Sequence, residues 1–527
     1  MNRFAPLPIG MPGDTTPLRP ETAGNKAAQL WRMSHLGLRV PPAFVLPTAL
    51  CAGVNAGDEA ALHALGEGLR KGVEMLESAT GKRFGDARAP LLVSVRSGAA
   101  QSMPGMLETI LDVGLNQTAL RGLIGFTGNP RLAWDSYRRF LQLYAEVVLG
   151  EPKDVFEAAL AEMIRAEGVA SEAELDSEAL ERLARQFRVR ARAVPEDPMR
   201  QLQEAARAVF GSWEGERARE FRRLNHLDGL TGTAVTVQAM VFGNAGGKSG
   251  AGVAFSRDPA TGAKTFYVDY LANAQGEDVV AGRRATGGAG ALAARLPDVA
   301  RELEAGARRL ELEYRDVQDI EFTVERGTLY FLQTRSAKRS PRAALRFLVD
   351  FVAEGVLTPA EALARAGDID LDKAKVTRFA DERPPLAMAV PAAPGVASGR
   401  VVFSPRRAQA LAAAGTPVIL IRHDTSTEDV AGFAVAAGIL TATGGPTAHA
   451  AVVARQLGCV CLVGCGALRV GADGAELAGK RLAEGDWLSL DGDTGAITLG
   501  ERKIVSEMPA EAMAALASWR DAATRQN

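Results

Sequence analysis

Residues 233–258 read TAVTVQAMVFGNAGGKSGAGVAFSRD and place a glycine-rich loop between two strand-like runs. The loop, 243–252, holds five glycines in ten residues, and Lys248 and Ser249 add a cation and a hydroxyl. Glycine takes positive φ and has no Cβ, so successive backbone N–H groups can converge on a phosphate. The loop is not a Walker A motif, because the G-x-x-x-x-G-K-[ST] spacing fails and a strand follows where that motif has a helix. From these residues alone, a phosphate-binding loop and a flexible hairpin loop are equally good interpretations.

The strands around this loop belong to a longer mixed pattern. Upstream, 20–115 alternates short strands with helices and includes a buried strand in PLLVSVRSGA, 90–99, whereas about 117–225 is helical. Downstream, strands continue to a hairpin whose turn is Arg326-Gly327. The length and this alternation predict a chain of several domains that combine α/β and α+β structure.

The second half of the chain predicts a separate module. Helices are predicted for about 341–366, and the proline-rich segment 381–395 predicts a hinge or linker, because proline interrupts helices and central strands. Short strands rich in small residues follow from 390 to 500, and one amphipathic helix comes last.

The composition argues against several classes of function. Lys plus Arg number 61 against 63 Asp plus Glu, a formal net charge of -2, and no basic block offers a nucleic-acid surface. No apolar run reaches the roughly 18 to 20 residues of a membrane span, and the amino terminus lacks the features of a signal peptide. We therefore expect a cytoplasmic protein without nucleic-acid or membrane partners.

The cysteines do not indicate a disulfide framework or a metal site. There are four in 527 residues, and Cys459, Cys461 and Cys465 crowd one apolar segment. C-x-C-x-x-x-C is a poor zinc pattern without a fourth ligand nearby, so these three are predicted to be buried strand residues.

Asp319-Ile320-Glu321 has the spacing of a metal-binding strand. Side chains alternate along a strand, so the two carboxylates share one face, which is costly in an apolar strand unless a cation such as Mg²⁺ satisfies them. Gln333 and Arg335 follow on the returning strand with matching parity. For an isolated D-x-E, however, the solvated face of a hairpin is the favoured interpretation.

His449 is the one histidine of the five with a chemical context. It follows GGPTA and precedes the helix-like run AAVVARQLG, which predicts an imidazole in the first turn of a helix. The positive end of the helix dipole disfavours the imidazolium and favours a neutral, nucleophilic ring. A general base and a metal ligand are the rival roles, but no second ligand lies nearby in the sequence, so covalent catalysis is favoured.

Several blocks of sequence resemble the pyruvate phosphate dikinase family, whose relatives include phosphoenolpyruvate synthase and rifampicin phosphotransferase. The resemblance runs from about residue 20 to the end. Such a series in the family's order is far more specific than any single motif. The blocks are PLLVSVRSGAAQSMPGMLETILDVGLN, DSYRRFLQLYAEVVLG, VQAMVFGNAGGKSGAGVAFSRDPATG, NAQGEDVVAG, DVQDIEFTVERGTLYFLQTR and GILTATGGPTAHAAVVARQLG.

The resemblance implies a domain order. An ATP-grasp nucleotide-binding region is expected over 1–340, with a helical insertion at about 117–225. A helical segment and linker would follow at 341–389. A swivelling phosphohistidine domain of β/β/α type would occupy 390–503, with a carboxy-terminal helix at 504–527.

The family's motifs also imply roles for the residues that match them. Lys26, Arg96 and Arg335 are expected to contact phosphates, the last two as catalytic residues. Asp319 and Glu321 are expected to bind Mg²⁺. The other residues expected around ATP are Gln238, Met240, Gly246, Gly247, Lys248, Ser249, Gly250, Glu277 and Gln333.

The sequence departs from the family's pattern at three motifs. Gly24-Asn25-Lys26-Ala27 stands where the family usually has Gly-Gly-Lys-Gly, and Gly247-Lys248 where it usually has Glu-Thr. Pro446-Thr447-Ala448-His449 replaces Met-Thr-Ser-His. None of these changes removes a group that phosphoryl transfer requires, and their effect on ATP binding is not evident from the sequence.

The expected reaction is the nucleotide half of dikinase chemistry, which converts ATP, phosphate and pyruvate to AMP, pyrophosphate and phosphoenolpyruvate. His449 would accept the phosphoryl group. The family's dikinases continue into a (β/α)₈ barrel of roughly 250 residues, and this sequence ends at Asn527, so a separately encoded barrel is expected to handle pyruvate. Two other hypotheses stay open: transfer to another small molecule or protein, and a non-catalytic nucleotide-sensing subunit. The sequence does not decide the final acceptor, the released nucleotide or whether the chain forms a homo-oligomer.

Overall fold

The computed structural model describes residues 4–101, 103, 107–280, 288–424, 429–446, 449–471 and 474–526. The side chains of Glu277 and His449 lie outside this description. The chain divides into two units: Met1–Ala245 with Tyr330–Gln333 form the first, and Gly246–Leu329 with Thr334–Asn527 form the second. The expected domain boundaries at 340, 389 and 503 are a finer division and stay predictions.

The first unit contains the strands β1 (Leu7–Ile9), β2 (Ala43–Leu46), β3 (Arg83–Phe84), β4 (Pro90–Leu91), β5 (Val93–Ala99), β6 (Thr109–Val113) and β7 (Thr233–Ala239). Five of them form an antiparallel sheet in the order β1-β2-β7-β5-β6. Every residue of β7 is buried, as expected for a strand at the centre of a sheet covered by helices. The strand predicted within 90–99 is confirmed by β4 and β5.

The helices of the first unit are α1 (Pro20–His35), α2 (Cys51–Ala56), α3 (Glu59–Thr80), α4 (Gln117–Thr127), α5 (Pro130–Val147), α6 (Lys153–Glu167), α7 (Ser177–Arg190), α8 (Pro198–Gly211) and α9 (Glu216–Leu224). Helices α4–α9 confirm the helical region predicted for 117–225. Asn116 and Asn129 cap α4 and α5, since each side chain accepts a hydrogen bond from a backbone N–H of the first turn. The apolar face of α5 is buried in the core of this unit.

The next elements are β8 (Gly250–Phe255), β9 (Tyr267–Ala272), α10 (Gly276–Val280), α11 (Ala289–Arg295), α12 (Pro297–Tyr314), β10 (Gln318–Glu325) and β11 (Thr328–Ser336). They belong to the second unit, except for Tyr330–Gln333 of β11, which belong to the first. The four strands form a sheet in the order β11-β10-β8-β9. The predicted hairpin is confirmed: Arg326 and Gly327 connect β10 to β11 with φ of 49° and 84°. Two consecutive positive φ values are what a type I′ turn needs to match the twist of the strands.

Three elements follow this sheet: α13 (Pro341–Ala353), α14 (Pro359–Ala366) and β12 (Val376–Phe379). The helices confirm the prediction for 341–366. Arg257, just after β8, is buried and donates to Glu311 of α12 and to Glu354 at the end of α13, at 2.9 and 2.8 Å. This pairing fastens both helices to the sheet.

The predicted second module is built on an eight-stranded sheet. Its elements are β13 (Ala387–Met388), β14 (Val390–Ala393), β15 (Val396–Val402), α15 (Pro405–Ala413), β16 (Val418–Arg422), α16 (Val430–Phe433), β17 (Gly438–Thr441), α17 (His449–Leu457), β18 (Val460–Val463), β19 (Leu468–Gly471), β20 (Gly474–Leu477), β21 (Lys480–Leu482), β22 (Trp487–Asp491) and β23 (Ala496–Leu499). The sheet order is β13-β23-β22-β15-β16-β17-β18-β14, while β19-β20-β21 form a separate small sheet. Cys459, Cys461 and Cys465 are buried, which confirms that part of the prediction, but only Cys461 lies on a strand, β18.

The prediction of a hinge or linker over the whole of 381–395 is wrong in part. Strands β13 and β14 fall in this segment and pair with β23 and β18. Both lie at the edges of the eight-stranded sheet, and the pairing shifts register just after Pro391. Proline is tolerated at such places because one side of an edge strand needs no N–H donor.

The last elements are β24 (Ile504–Glu507) and α18 (Ala510–Gln526). Strand β24 pairs antiparallel with β12, so the segments that precede and follow the module form a two-stranded ribbon. Within the described ranges, no helix, α18 included, has both the length and the apolar character needed to cross a bilayer.

Candidate nucleotide and phosphoryl-transfer site

The turn that carries Lys26 lies against β5 through a contact between glycines. Helix α1 is kinked at Gly24, whose φ of 76° is strained for any residue with a Cβ. A Cβ on Gly24 would lie 2.0 Å from the carbonyl oxygen of Gly98, and a Cβ on Gly98 would lie 3.8 Å from the Cβ of Lys26. Residues 96 and 98 share one face of β5, so Lys26 lies over the face that bears Arg96.

Arg96 is the centre of a polar group in the first unit. Its guanidinium donates from Nη1 to Gln238 Oε1 and from Nη2 to Gln333 Oε1, both at 3.4 Å. Gln238 is held in turn by a hydrogen bond from its Nε2 to the carbonyl of Pro41. The structure therefore brings together Arg96, Gln238 and Gln333, three residues that the sequence analysis assigned to the nucleotide site. Met240, two residues after Gln238 in the chain, is half-buried.

The glycine-rich loop of the second unit is held by side chains and turns. Gly246 N–H donates to Asn273 Oδ1 at 3.0 Å, and Gly327 N–H donates to the carbonyl of Lys248 at 2.7 Å. Ser249 is buried, and its hydroxyl accepts from the N–H of Arg326 at 2.9 Å. Ser249 thus has a structural contact, whereas Gly247 and Lys248 are exposed. A phosphate contact for Ser249 and Gly250 stays a prediction.

Asp319 and Glu321 lie on β10, and the register with β8 places them on one face. Asp319 is only 3% exposed, so the solvated-face interpretation of its D-x-E motif is wrong for this carboxylate. Its Oδ2 accepts from Arg335 Nε at 2.8 Å, while its Oδ1 is buried with no hydrogen-bond partner among the described residues. Burial raises the pKa of the Asp319 carboxyl, and the charge and hydrogen bond of Arg335 oppose this effect.

The residues present fit a magnesium ion that also binds a nucleotide. A buried carboxylate oxygen without a donor is costly, and a cation would satisfy it. In the described parts of the chain, no group of three or more His, Cys, Asp and Glu side chains is arranged to hold a metal ion. Mg²⁺ commonly uses one or two carboxylates together with substrate phosphates and water, so Asp319 and Glu321 are a sufficient protein contribution.

The described part of α17 runs from His449 to Leu457 and agrees with the helix predicted after the GGPTA segment, whereas Thr447, Ala448 and the imidazole lie outside the described residues. The preceding turn is held by Arg455, which is 2% exposed and donates from Nη1 to the carbonyls of Pro446 and Ala392 at 2.7 and 3.0 Å. Glu277 is on α10, and its side chain is likewise not described.

Sequence reasoning missed Arg455 and Arg295. An arginine inside the apolar run of α17 was a usable signal, because a buried guanidinium needs acceptors. Arg295 donates from Nε and Nη2 to the carbonyl of Gly247 at 3.0 and 2.8 Å. No local pattern could have identified it, since it is far from the loop in sequence.

Two protein-family models match this sequence. Residues 61–287 match the AMP/ATP-binding domain of pyruvate phosphate dikinase, and 415–495 match the mobile domain of PEP-utilising enzymes. The first range contains Arg96, the glycine-rich loop and Glu277, and the second contains His449. The strand with the two carboxylates lies outside both ranges.

Whole-chain comparison finds curated relatives of one kind. The chain is 44% identical over 492 residues to pyruvate, phosphate dikinase of Clostridium symbiosum, covering 91% of this chain and 56% of the relative. It is 40% identical over 513 residues to the chloroplastic enzyme of Flaveria trinervia, covering 95% and 54%. It is 41% identical over 514 residues to pyruvate, phosphate dikinase 2 of Zea mays, covering 95% and 58%. The chain therefore spans a little over half the length of these relatives.

Proposed function

Because the chain is similar to pyruvate, phosphate dikinases along 91% to 95% of its own length, we propose that it catalyses the nucleotide half of dikinase chemistry and forms a phosphohistidine on His449. The substrate is ATP, with inorganic phosphate as co-substrate. The observation that carries this proposal is the buried Asp319, which is paired with Arg335 through one oxygen and whose other oxygen has no hydrogen-bond partner in the described part of the chain. A structural ion pair has no need of that second oxygen, whereas a metal-nucleotide site does.

Side chains from different elements are proposed to supply positive charge to the phosphates. Arg96 and Lys26 lie over one face of β5, and Arg335 extends from β11. Mg²⁺ bound by Asp319 and Glu321 would neutralise further charge on the triphosphate. Phosphoryl transfer depends mainly on such charge balance and on positioning, because the protein has little covalent chemistry to perform beyond the nucleophile.

His449 is the proposed nucleophile. Its proposed position in the first turn of α17 would favour the neutral imidazole, since the positive end of the helix dipole disfavours the imidazolium. For AMP to be released, a ring nitrogen forms a bond to the β-phosphorus of ATP as the bond to the AMP oxygen breaks, and the proton on the other ring nitrogen is released. Inorganic phosphate then takes the terminal phosphoryl group and leaves as pyrophosphate, so that one phosphoryl group stays on the histidine. Arg455 fixes the turn before this residue through Pro446.

The module at 390–503 is proposed to swivel between ATP and an acceptor. The segments around it, near 375–390 and 503–510, include the paired strands β12 and β24. The pyruvate half of the chemistry is proposed to need a (β/α)₈ barrel outside these 527 residues. Addition of such a barrel, prepared from a relative, should then yield phosphoenolpyruvate from ATP, phosphate and pyruvate.

The direct test is transfer from ATP that is radiolabelled at the β-phosphate, the phosphoryl group that stays on the protein when AMP and pyrophosphate leave. Wild-type protein should acquire an acid-labile, base-stable label, and His449→Ala should acquire none. His63→Ala is the matched control, because His63 is exposed on α3 and has no proposed role. Product analysis with and without inorganic phosphate should show AMP as the nucleotide product. Equal labelling of wild type and His449→Ala, or ADP as the only product, would contradict the proposal.

A further inference from the structure

Arg295, the last residue of α11, makes an unusual contact with the glycine-rich loop. Two of its guanidinium nitrogens, Nε and Nη2, donate to the same acceptor, the carbonyl oxygen of Gly247, at 3.0 and 2.8 Å. The guanidinium thus binds the carbonyl side of the peptide group between Gly247 and Lys248 through two hydrogen bonds.

The orientation of that peptide decides where the next N–H points. All described peptide bonds are trans, and in a trans peptide the C=O and the following N–H point in opposite directions. Because Arg295 holds the carbonyl of Gly247, the N–H of Lys248 is directed away from Arg295. Among the described residues, the N–H groups of Gly247 and Lys248 have no acceptor.

Other hydrogen bonds fix Gly246 and the carbonyl of Lys248, whereas the peptide between Gly247 and Lys248 is held by Arg295. Asn273 holds the N–H of Gly246, and Gly327 holds the carbonyl of Lys248. Gly247 stands where the family usually has Glu and lacks a Cβ, so rotation of the peptide that follows it meets little steric resistance. In the described parts of the chain, Arg295 is the contact that restrains it.

We infer that Arg295 is a positioning residue that keeps the backbone N–H of Lys248 directed toward a phosphate of the nucleotide. This inference rests on the proposed function for the identity of the ligand. Lys248 is exposed on the same loop and adds a positively charged side chain to it. Arg295 orients this peptide through its two hydrogen bonds. A positive charge at this position without the two bonds would not fix the orientation of the peptide.

The variants Arg295→Lys and Arg295→Met separate orientation from charge. Lysine keeps the charge but cannot donate from two rigidly spaced nitrogens, and methionine keeps much of the side-chain length without a donor. We expect Arg295→Met to weaken ATP binding about tenfold by calorimetry, and Arg295→Lys to restore only part of that loss. In a kinetic assay, KM for ATP should rise while the maximal rate of labelling changes less.

A second measurement does not depend on nucleotide binding. Amide hydrogen exchange of a peptide spanning 246–250 should be faster in Arg295→Met than in wild type, without ATP, because the turn closed by Ser249 N–H and Gly246 O loses its restraint. Arg301→Met is the control, since Arg301 lies nearby on α12, is exposed and pairs only with Asp298 in the described structure.

The outcomes distinguish this inference from the proposed function. If wild-type protein does not bind ATP, the proposed function fails, and the exchange measurement still decides whether Arg295 orients the loop. If Arg295→Met exchanges at the wild-type rate, or if Arg295→Lys binds ATP as tightly as wild type, the positioning role is wrong.

Discussion

Gly24 shows how one residue without a side chain determines where a charged neighbour lies. Its φ is positive, and a Cβ at this position would lie only 2.0 Å from the carbonyl oxygen of Gly98. A larger residue therefore does not fit unless β5 moves. The departure at Asn25 therefore leaves the essential glycine of this turn in place. The sequence could indicate a glycine-dependent turn beside Lys26, but the strand against which it packs is distant in sequence and was not predictable.

Asp319→Asn tests the metal site at the scale of a single residue. The change keeps the size of the side chain and removes the charge that Mg²⁺ needs, so we expect the Mg²⁺ concentration that supports half-maximal labelling to rise by at least about tenfold. A Mg²⁺ titration of phosphohistidine formation measures this shift. Asp298→Asn, on exposed helix surface, should leave the titration unchanged. An unaltered Mg²⁺ dependence in Asp319→Asn would remove Asp319 from the metal site.

The candidate site was predictable from sequence only where a local rule applied. Alternation along a strand identified Asp319 and Glu321 as neighbours on one face, and the glycine spacing identified the loop at 243–252. The burial of Asp319 and the hydrogen bonds from Arg295 to Gly247 depend on residues that come into contact only after folding. For the same reason, the sequence could not distinguish a metal-binding D-x-E from a solvated one.

At the scale of elements, α5 contains a buried ion pair that should make the first unit sensitive to acid. Asp135 is buried and accepts from Arg138 at 2.7 Å and from Arg139 at 3.1 Å. Burial alone would raise the pKa of this carboxyl, but the charges of Arg139 and Arg138 outweigh burial and hold its pKa well below the ordinary value. Its contribution to stability is therefore complete above about pH 4 and is lost as the pH falls toward the lowered pKa of the folded state.

Asp135→Asn should remove this contribution. We expect a loss of about 3 kcal/mol in the free energy of unfolding at pH 7, because two arginines lose a buried partner, and a smaller difference from wild type at low pH. Urea unfolding at several pH values measures both effects. Glu67→Gln, which breaks an exposed pair with Arg70 on α3, is the control and should not change stability measurably. A constant difference between wild type and Asp135→Asn at every pH would contradict the assignment.

Elements were predicted best where the pattern was long or the turn chemistry strict. The helices of 117–225 and the Arg326-Gly327 hairpin belong to this kind. The segment 381–395 was predicted less well, because its prolines excluded a central strand but could not indicate that β13 and β14 would lie at sheet edges. Edge placement depends on strand order, which no local pattern encodes.

At the scale of the whole molecule, the two units have separate apolar cores and should not unfold in a single step. The core of the first unit lies around β5, β7 and the helices packed on them, while β8, α13 and the eight-stranded sheet contribute to cores of the second. Multi-domain chains with independent cores commonly depart from two-state behaviour. We expect two resolved unfolding transitions in urea. Hydrogen exchange of peptides from α5 and from α13 should report one transition each.

Two variants assign these transitions. Asp135→Asn should move only the transition reported by α5. Arg257→Met should move only the one reported by α13, by about 3 kcal/mol, because Glu311 and Glu354 lose the guanidinium that pairs with both. If both variants shifted one common transition equally, the two units would be a single cooperative structure, and a module able to move during catalysis would then have to be sought within that structure.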